Sequence, residues 1–214
     1  MISLIFSGGT CRDVEFYRGF IEGAGLIIAA DGGAEIPAAL GVLPHVLVGD
    51  MDSIGPGTAA ALRGRGVEVI EVEPEKDFTD TELAVRLAVD RGATDITILA
   101  AIGTRLDHTL ANVSLLLFAH ERGIGARIVN EDQEAYLLTA DVTNPIAGTI
   151  GDTVSLIAFS DPVTGVTTHD LKYPLKDAEL EMLSPLGVSN EISGKNPWVE
   201  FREGRLLLIK VRHP

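Results

Sequence analysis

Cysteine is almost missing from this chain: Cys11 is the single one in 214 residues, so neither a disulfide framework nor a thiolate zinc site can form within one chain. Cys11 follows the first glycine turn with no obvious activating base beside it, and a quiet, buried or half-buried thiol is expected. Long hydrophobic runs are missing as well. The longest apolar stretches are broken by Gly, Asp or His and fall short of a bilayer span. The opening MISLIF runs into SGGT without the basic start and longer apolar core of a signal peptide. Positive charge is scarce: 17 Lys and Arg stand against 31 Asp and Glu, a formal charge of -14. That balance argues against a broad nucleic-acid surface and against attraction to anionic membranes, although a few cations can reverse the potential inside one cleft. Internal repeats are not evident. Neither G-x-G-x-x-G nor G-x-x-x-x-G-K-[ST], the two common nucleotide fingerprints, is present. These absences lead us to expect a soluble, cytoplasmic protein with no membrane or nucleic-acid partner.

What is present is an alternating grammar. SLIF, GLIIAAD, VLVGD, VEVIEV, ITILAAIG and ARIVNE are candidate strands, several apolar on both faces as parallel strands covered by helices should be. Helices are predicted between them over 13–24, 36–40, 57–65, 80–91 and 108–122. Thr79 and Glu82 form a T-x-x-E capping box at the start of the fourth. After about Leu138 the chain changes to short β-rich runs divided by Gly, Pro, Asn and Asp turns. The close, WVEFREGRLLLIKVRHP, reads as a hairpin turning near Glu203 and Gly204, with Trp198 as a core residue. The expected fold class is α/β: a doubly wound, mostly parallel sheet over 1–138, followed by a smaller all-β domain over 139–214.

Five aspartates carry the chemistry. Asp50 and Asp52 in GDMDS, Asp77 and Asp80 in KDFTD, and Asp107 in TRLDH each follow an apolar strand-like run, where an open α/β sheet places its ligands. Clustered carboxylates in that position have to be reconciled with a cation. Asp50 and Asp52 lie one residue apart at a strand end, and both can reach a magnesium ion if the chain turns. An Asx turn with Ser53 as cap explains only one of them. Gly8 with Gly9, and Asp31 with Gly32 and Gly33, follow the first two strands. Paired glycines let backbone amides approach phosphate, though for each pair taken alone a tight turn is the better explanation.

At this level of detail the chain closely resembles the thiamine pyrophosphokinase (thiamine diphosphokinase) family. The resemblance rests on ADGGA, on G-V-L-P leading to VGDMDS, and on EKDFTDTELA, GTRLDHTLANVSLL, DTVSLIAF, LKYPL and GVSNE, which span nearly the whole chain in order. It implies a C-terminal β-sandwich and a homodimer with active sites at the subunit interface. The implied reaction is Mg2+-dependent transfer of an intact pyrophosphoryl group from ATP to the hydroxyethyl oxygen of thiamine, with attack at the β-phosphorus and release of AMP. Carried over residue by residue, Asp50, Asp52, Asp77 and Asp107 are the implied metal ligands. Asp52, Asp77, Arg105 and Asp107 are the catalytic set, with Asp52 or Asp77 orienting or deprotonating the alcohol. Gly9, Asp31, Gly32, Lys76, Asp80, Arg105, His108 and Asn112 would face the nucleotide, and Ser189 and Asn190 would face thiamine. His108 is expected to support the Arg105–Asp107 loop, and Asn112 either touches nucleotide or is a helix-surface amide. Two positions depart from the family pattern: Thr104 and Asp170 stand where relatives usually have glycine.

Two other functions fit the same residues. One is a different magnesium-dependent nucleotide pyrophosphotransferase or hydrolase, and the other is a nucleotide- or thiamine-compound-binding protein without turnover. A partner-binding module would need separate local explanations for each aspartate.

Overall fold

The structure, a computed structural model, describes residues 1–55, 57–75, 77–182 and 184–212. Lys76, expected near the phosphates, lies outside the described residues. The chain divides into two compact units, Met1–Glu131 and Asp132–Pro214. The segment from Asp132 to Leu138, grouped with the first domain in the sequence analysis, belongs to the second unit because Gln133–Leu137 pairs antiparallel with Leu206–Val211.

Among the described residues the first unit has six strands: β1 (Ile2–Phe6), β2 (Leu26–Ala30), β3 (Val46–Gly49), β4 (Glu68–Glu71), β5 (Asp95–Leu99) and β6 (Gly125–Val129). All pair in parallel, in the order β6-β5-β1-β2-β3-β4. LIIAA of β2 and VLVG of β3 are buried throughout, so each can lie only inside a sheet covered on both faces. β4 begins and ends on exposed glutamates and forms the charged outer strand. The helices are α1 (Arg18–Ile21), α2 (Glu35–Ala39), α3 (Thr58–Gly64), α4 (Asp80–Asp90) and α5 (Leu106–His120). From β1 to β4 the chain steps one way across the sheet, and from β4 to β6 it steps back on the far side of β1. Right-handed crossovers therefore put α1, α2 and α3 on one face and α4 and α5 on the other, which is double winding. Leu4, Phe6, Ile27, Ala29 and Leu47 build the cores of the first face.

The predicted helix over 13–24 is shorter than expected. Asp13 caps a 3-10 turn, Val14–Tyr17, which passes into the single turn of α1. Gly19 and Gly23 dilute the helical preference there, and Gly23 takes φ 85.

The second unit is a β-sandwich. Its strands are β7 (Gln133–Leu137), β8 (Asn144–Pro145), β9 (Thr153–Ala158), β10 (Val163–His169), β11 (Ala178–Leu180), β12 (Asn190–Glu191), β13 (Trp198–Glu200) and β14 (Leu206–Val211). They form two antiparallel sheets, β12-β9-β14-β7 and β11-β10-β13-β8. Val154, Leu156, Leu206 and Leu208 of one sheet share a core with Val163, Val166, Leu180 and Val199 of the other. The terminal hairpin does not form. β13 pairs with β10 and β8 while β14 pairs with β7 and β9, because 201–205 carries the chain from one sheet to the other. Trp198, expected in the core, is only half-buried and stacks on His169 at 5.4 Å between ring centroids.

Candidate active site

In an open α/β sheet the ligand crevice lies beyond the carboxyl ends of the strands, where the strand order reverses, which here is between β1 and β5. A cleft of about 600 Å³ opens there. Its walls come from the loops after β1 (Ser7 to Thr10) and β2 (Asp31, Gly32), from Ser53, from Pro74 and Phe78 to Thr81, and from Gly103 to Arg105, His108 and Asn112. The glycine turns serve packing more than ligand approach. The Gly9 N–H donates to the Ala100 carbonyl at 2.8 Å, and a Cβ at Gly9 would stand 2.5 Å from that oxygen. At Gly33 a Cβ would collide with the Phe6 carbonyl.

Asparagines stitch the same loops together. Asn112 is a buried residue, not the helix-surface amide considered from sequence, and its Nδ2 donates to the Ala101 carbonyl at 2.8 Å. Buried Asn130 accepts from the amides of Ala101 and Ile102 and donates to the Thr10 and Ile102 carbonyls, tying the β5 loop to the β1 loop. Ser7 and Thr81, both lining the cleft, share a buried hydroxyl bond of 2.8 Å that pins the start of α4 to the end of β1.

Beside the cleft, three carboxylates come together. Asp31, Asp50 and Asp52 each offer an oxygen, all within 4.8 Å of one another. Asp31 is 5% exposed and takes φ 42, a backbone region Asp tolerates better than most residues. Its Oδ2 accepts from the Ser53 N–H at 3.2 Å, while Oδ1 is buried with no hydrogen-bond partner among the described residues. Asp50 turns GDMDS back on itself by accepting the Asp52 N–H, and Asp52 holds the Ser53 hydroxyl at 2.7 Å. Burial pushes the Asp31 carboxyl up from its usual range, the neighbouring Asp80 charge adds to this, and hydrogen bonds from Ser53 oppose it. A buried carboxylate with one unpartnered oxygen, grouped with two more carboxylates, is costly by itself and is what a hard divalent cation satisfies. The donor set therefore fits Mg2+.

Arg105 caps α5 and lines the cleft. Its guanidinium forks onto Asp107, with Nε to Oδ1 at 3.2 Å and Nη2 to Oδ2 at 2.6 Å. That fork, with the His108 amide, holds the Asp107 carboxyl down at about 2. His108 reaches Asp107 through its backbone N–H at 3.0 Å. Thr104, one of the two departures, is not among the described residues with positive φ, so its backbone does not require glycine. Thr79 caps α4 by accepting the Glu82 N–H at 3.1 Å, and the Glu82 side chain turns to Arg86.

In the second unit Asn190 spends its amide on the LKYPL segment, accepting from the Tyr173 N–H at 2.9 Å and donating to the Tyr173 carbonyl at 2.6 Å. That leaves the Tyr173 ring exposed above a fixed backbone. Ser189 takes φ 59 and donates its N–H to Ser155. Asp170, the other departure, holds the left-handed turn a glycine would favour, at φ 55, and its Oδ2 accepts the Asn196 N–H at 2.9 Å. Its side chain thereby performs a task that glycine could not.

Comparison with known proteins decides the family. The sequence model described as "Thiamin pyrophosphokinase, catalytic domain" matches residues 17–128, and that described as "Thiamin pyrophosphokinase, vitamin B1 binding domain" matches residues 142–206. The chain belongs to the thiamin pyrophosphokinase family. It is 26% identical over 206 residues to the thiamine pyrophosphokinase of Bacillus subtilis (strain 168), covering 96% of each chain. It is 25% identical over 181 residues to thiamine pyrophosphokinase 2 of Oryza sativa subsp. japonica, covering 80% of this chain and 67% of that one. Among solved structures, thiamine pyrophosphokinase from Bacillus subtilis superposes with a TM-score of 0.90 at 25% identity, covering all of both chains. The Geobacillus thermodenitrificans structure gives 0.84 at 29%, covering 100% of this chain and 98% of that one. As a member of the thiamin pyrophosphokinase family, the chain has the family-level function of an ATP-dependent transferase of this kind.

Against this family frame, the residues singled out from sequence separate by position. Gly9, Asp31, Gly32, Asp80, Arg105, His108 and Asn112 all line the cleft. Asp50 and Asp52 join Asp31 in the acidic group. Asp77 and Asp107 are exposed and lie outside both that group and the described cleft lining. Ser189 and Asn190 belong to the second unit. Cys11, expected buried or half-buried, is exposed, and partial desolvation together with the charges of Glu131 and Asp13 pushes its thiol up, away from a reactive thiolate. Ser53, Phe78, Thr81 and Asn130 were not anticipated in the site. For Asn130 the available signal was an asparagine directly after a buried strand.

Proposed function

We propose that the chain is a Mg2+-dependent thiamine diphosphokinase that moves the pyrophosphoryl group of ATP onto the hydroxyethyl oxygen of thiamine, yielding thiamine diphosphate and AMP. The observation that carries this reading is the buried Asp31 carboxylate, its Oδ1 without a partner among the described residues, grouped with Asp50 and Asp52 at the edge of the cleft. Asp31, Asp50 and Asp52 would hold the ion, which when bound supplies positive charge against the phosphates. Arg105, a residue of the cleft wall, would balance charge on the peripheral oxygens of the group in transfer, and Asp107 holds its guanidinium in a fixed fork. In the transfer the thiamine oxygen bonds to the β-phosphorus, the bond from that phosphorus to the α–β bridging oxygen breaks, and AMP leaves with that oxygen. The alcohol proton passes to a carboxylate. Asp52, which belongs to the acidic group, is better placed for this than Asp77, which does not. Such a reaction depends on alignment more than on a strong base.

This reading includes a homodimer with shared active sites. It is supported by Leu106 and Leu110, 69% and 59% exposed and one turn apart on α5 beside Arg105 and His108. A cytoplasmic setting accords with the lone cysteine, and no described helix is long and apolar enough to cross a membrane.

The decisive experiment follows AMP and thiamine diphosphate together, with ATP and Mg2+, with and without thiamine. Equal, thiamine-dependent yields of both are expected. AMP formed without thiamine would replace this reading with hydrolysis or another acceptor, and neither product from folded protein would leave only binding.

A further inference from the structure

The cleft lining is chemically mixed. Glycines, hydroxyls and carboxylates make most of it and suit phosphate and its counter-ion. Pro74 and Phe78 add apolar surface, and Phe78 is the one phenyl ring among the described lining residues. It is 40% exposed and so open to a ligand.

This ring is held by a cation. The Arg86 guanidinium lies 4.6 Å from the Phe78 centroid and 4.7 Å from that of Phe118, so one cation sits against two rings. Arg86 is fixed in turn by Glu82 one turn earlier on α4, with Nε at 3.0 Å and Nη2 at 2.9 Å from the same carboxylate oxygen. On the far side Arg122 lies 3.7 Å from the Phe118 centroid and donates to the Phe118 carbonyl at 2.9 Å. The result is a ladder of alternating rings and guanidinium groups running from the C-terminal part of α5, across α4, to the rim of the cleft. Only its last rung, Phe78, belongs to the cleft wall.

We infer that Phe78 is the base-recognising wall of the nucleotide site, against which the purine of ATP or AMP stacks, and that Arg86 is the positioning residue that keeps the ring in place. The inference rests on the reading of the cleft as a nucleotide site. Between the two aromatic substrates, the charge of Arg86 favours the purine. A ring already serving one cation at 4.6 Å is a poor seat for the cationic thiazolium of thiamine, whereas a neutral, polarisable base meets no such repulsion.

The test is calorimetric titration of the full chain with two ligands taken separately: AMP, which carries the base, and inorganic pyrophosphate with Mg2+, which does not. Replacing a stacking ring by alanine costs base binding roughly tenfold or more. Phe78→Ala is therefore expected to weaken AMP by about that factor and to leave magnesium pyrophosphate unchanged, while Phe78→Trp restores AMP binding. Arg86→Gln should move AMP affinity in the same direction as Phe78→Ala, by less, again sparing pyrophosphate. If the wild-type chain binds AMP and Phe78→Ala binds it equally well, the assignment is overturned. The same holds if Phe78→Ala instead raises KM for thiamine and not for ATP. A wild-type chain that binds neither AMP nor magnesium pyrophosphate overturns the nucleotide reading of the cleft, and the role of Phe78 falls with it.

Discussion

Asp31 shows how one residue can hold stability and function in opposition. Its folded-state pKa is raised, so the folded chain holds that proton more tightly than the unfolded chain does. Its contribution to stability is therefore full below the unfolded carboxylate range and is lost as pH rises through the higher folded value. Near neutrality it is a net cost until a cation relieves it. Asp31→Asn, which keeps the shape and tolerates the positive φ, is expected to raise the melting temperature of metal-free protein by a few degrees, since removing about 1 kcal/mol of strain is worth that much. It should also abolish the further rise that Mg2+ gives wild type. A variant that melts lower than wild type without metal, yet still responds to Mg2+, would remove Asp31 from the ion site. Arg105 behaves differently. Its fork onto Asp107 is solvent-exposed at 68% and 65%, so it adds little to stability, and the low Asp107 value keeps the pair charged until the pH falls toward 2. Arg105→Lys should leave melting unchanged and lower kcat by roughly tenfold or more, because a single ammonium cannot reproduce the planar fork. Full activity in the lysine variant would place the guanidinium outside the phosphate contacts.

At the scale of elements, the same substitution can have opposite signs. A Cβ at Gly33 would enter the Phe6 carbonyl at the end of β1, whereas one at Gly19 in α1 would meet nothing within 4 Å. Gly33→Ala is expected to destabilise the chain severely. Gly19→Ala should be neutral or stabilise it by up to about 1 kcal/mol, by stiffening the unfolded chain and favouring the helix. Urea midpoints for the two variants check both signs. Thr79→Ala, which strips the cap from α4, belongs between them at a cost of about 1 kcal/mol. Such elements were legible where their cause is local. The six parallel strands announce themselves as apolar runs, and the α4 cap as a threonine before an amphipathic stretch. The terminal hairpin was misread because nothing local tells the 201–205 crossing from a turn; the difference is that β14 finds β7 and β9. Asp31 was legible as part of a glycine turn but not as a carboxylate paired with Asp50 and Asp52, since that depends on burial and on β2 and β3 lying side by side. Asn112 and Asn190 were picked out by motif. Their bonds to the Ala101 and Tyr173 backbones are tertiary facts that a motif does not carry.

The whole molecule adds a field to these local arrangements. A formal charge of -14 surrounds a site that must take up both a cation and a polyanion, and the two respond oppositely. Cations are concentrated near such a surface and free nucleotide is repelled, each over a Debye length that shrinks from about 14 Å at 0.05 M salt to about 7 Å at 0.2 M. Raising potassium chloride across that range should therefore weaken binding of Mg2+ to the nucleotide-free chain and strengthen that of metal-free ATP. The magnesium complex, closer to neutral, should change least. Local contacts alone make a different prediction: screening would weaken the attraction of ATP to Arg105 just as it weakens that of Mg2+ to Asp31, Asp50 and Asp52. Titrations at the two salt concentrations distinguish them. If metal-free ATP loses affinity with salt, the guanidinium in the cleft dominates the surface charge at the distance where ATP is captured. If it gains, the acidic exterior sets the approach, and pairing ATP with Mg2+ before entry is what the molecule as a whole favours.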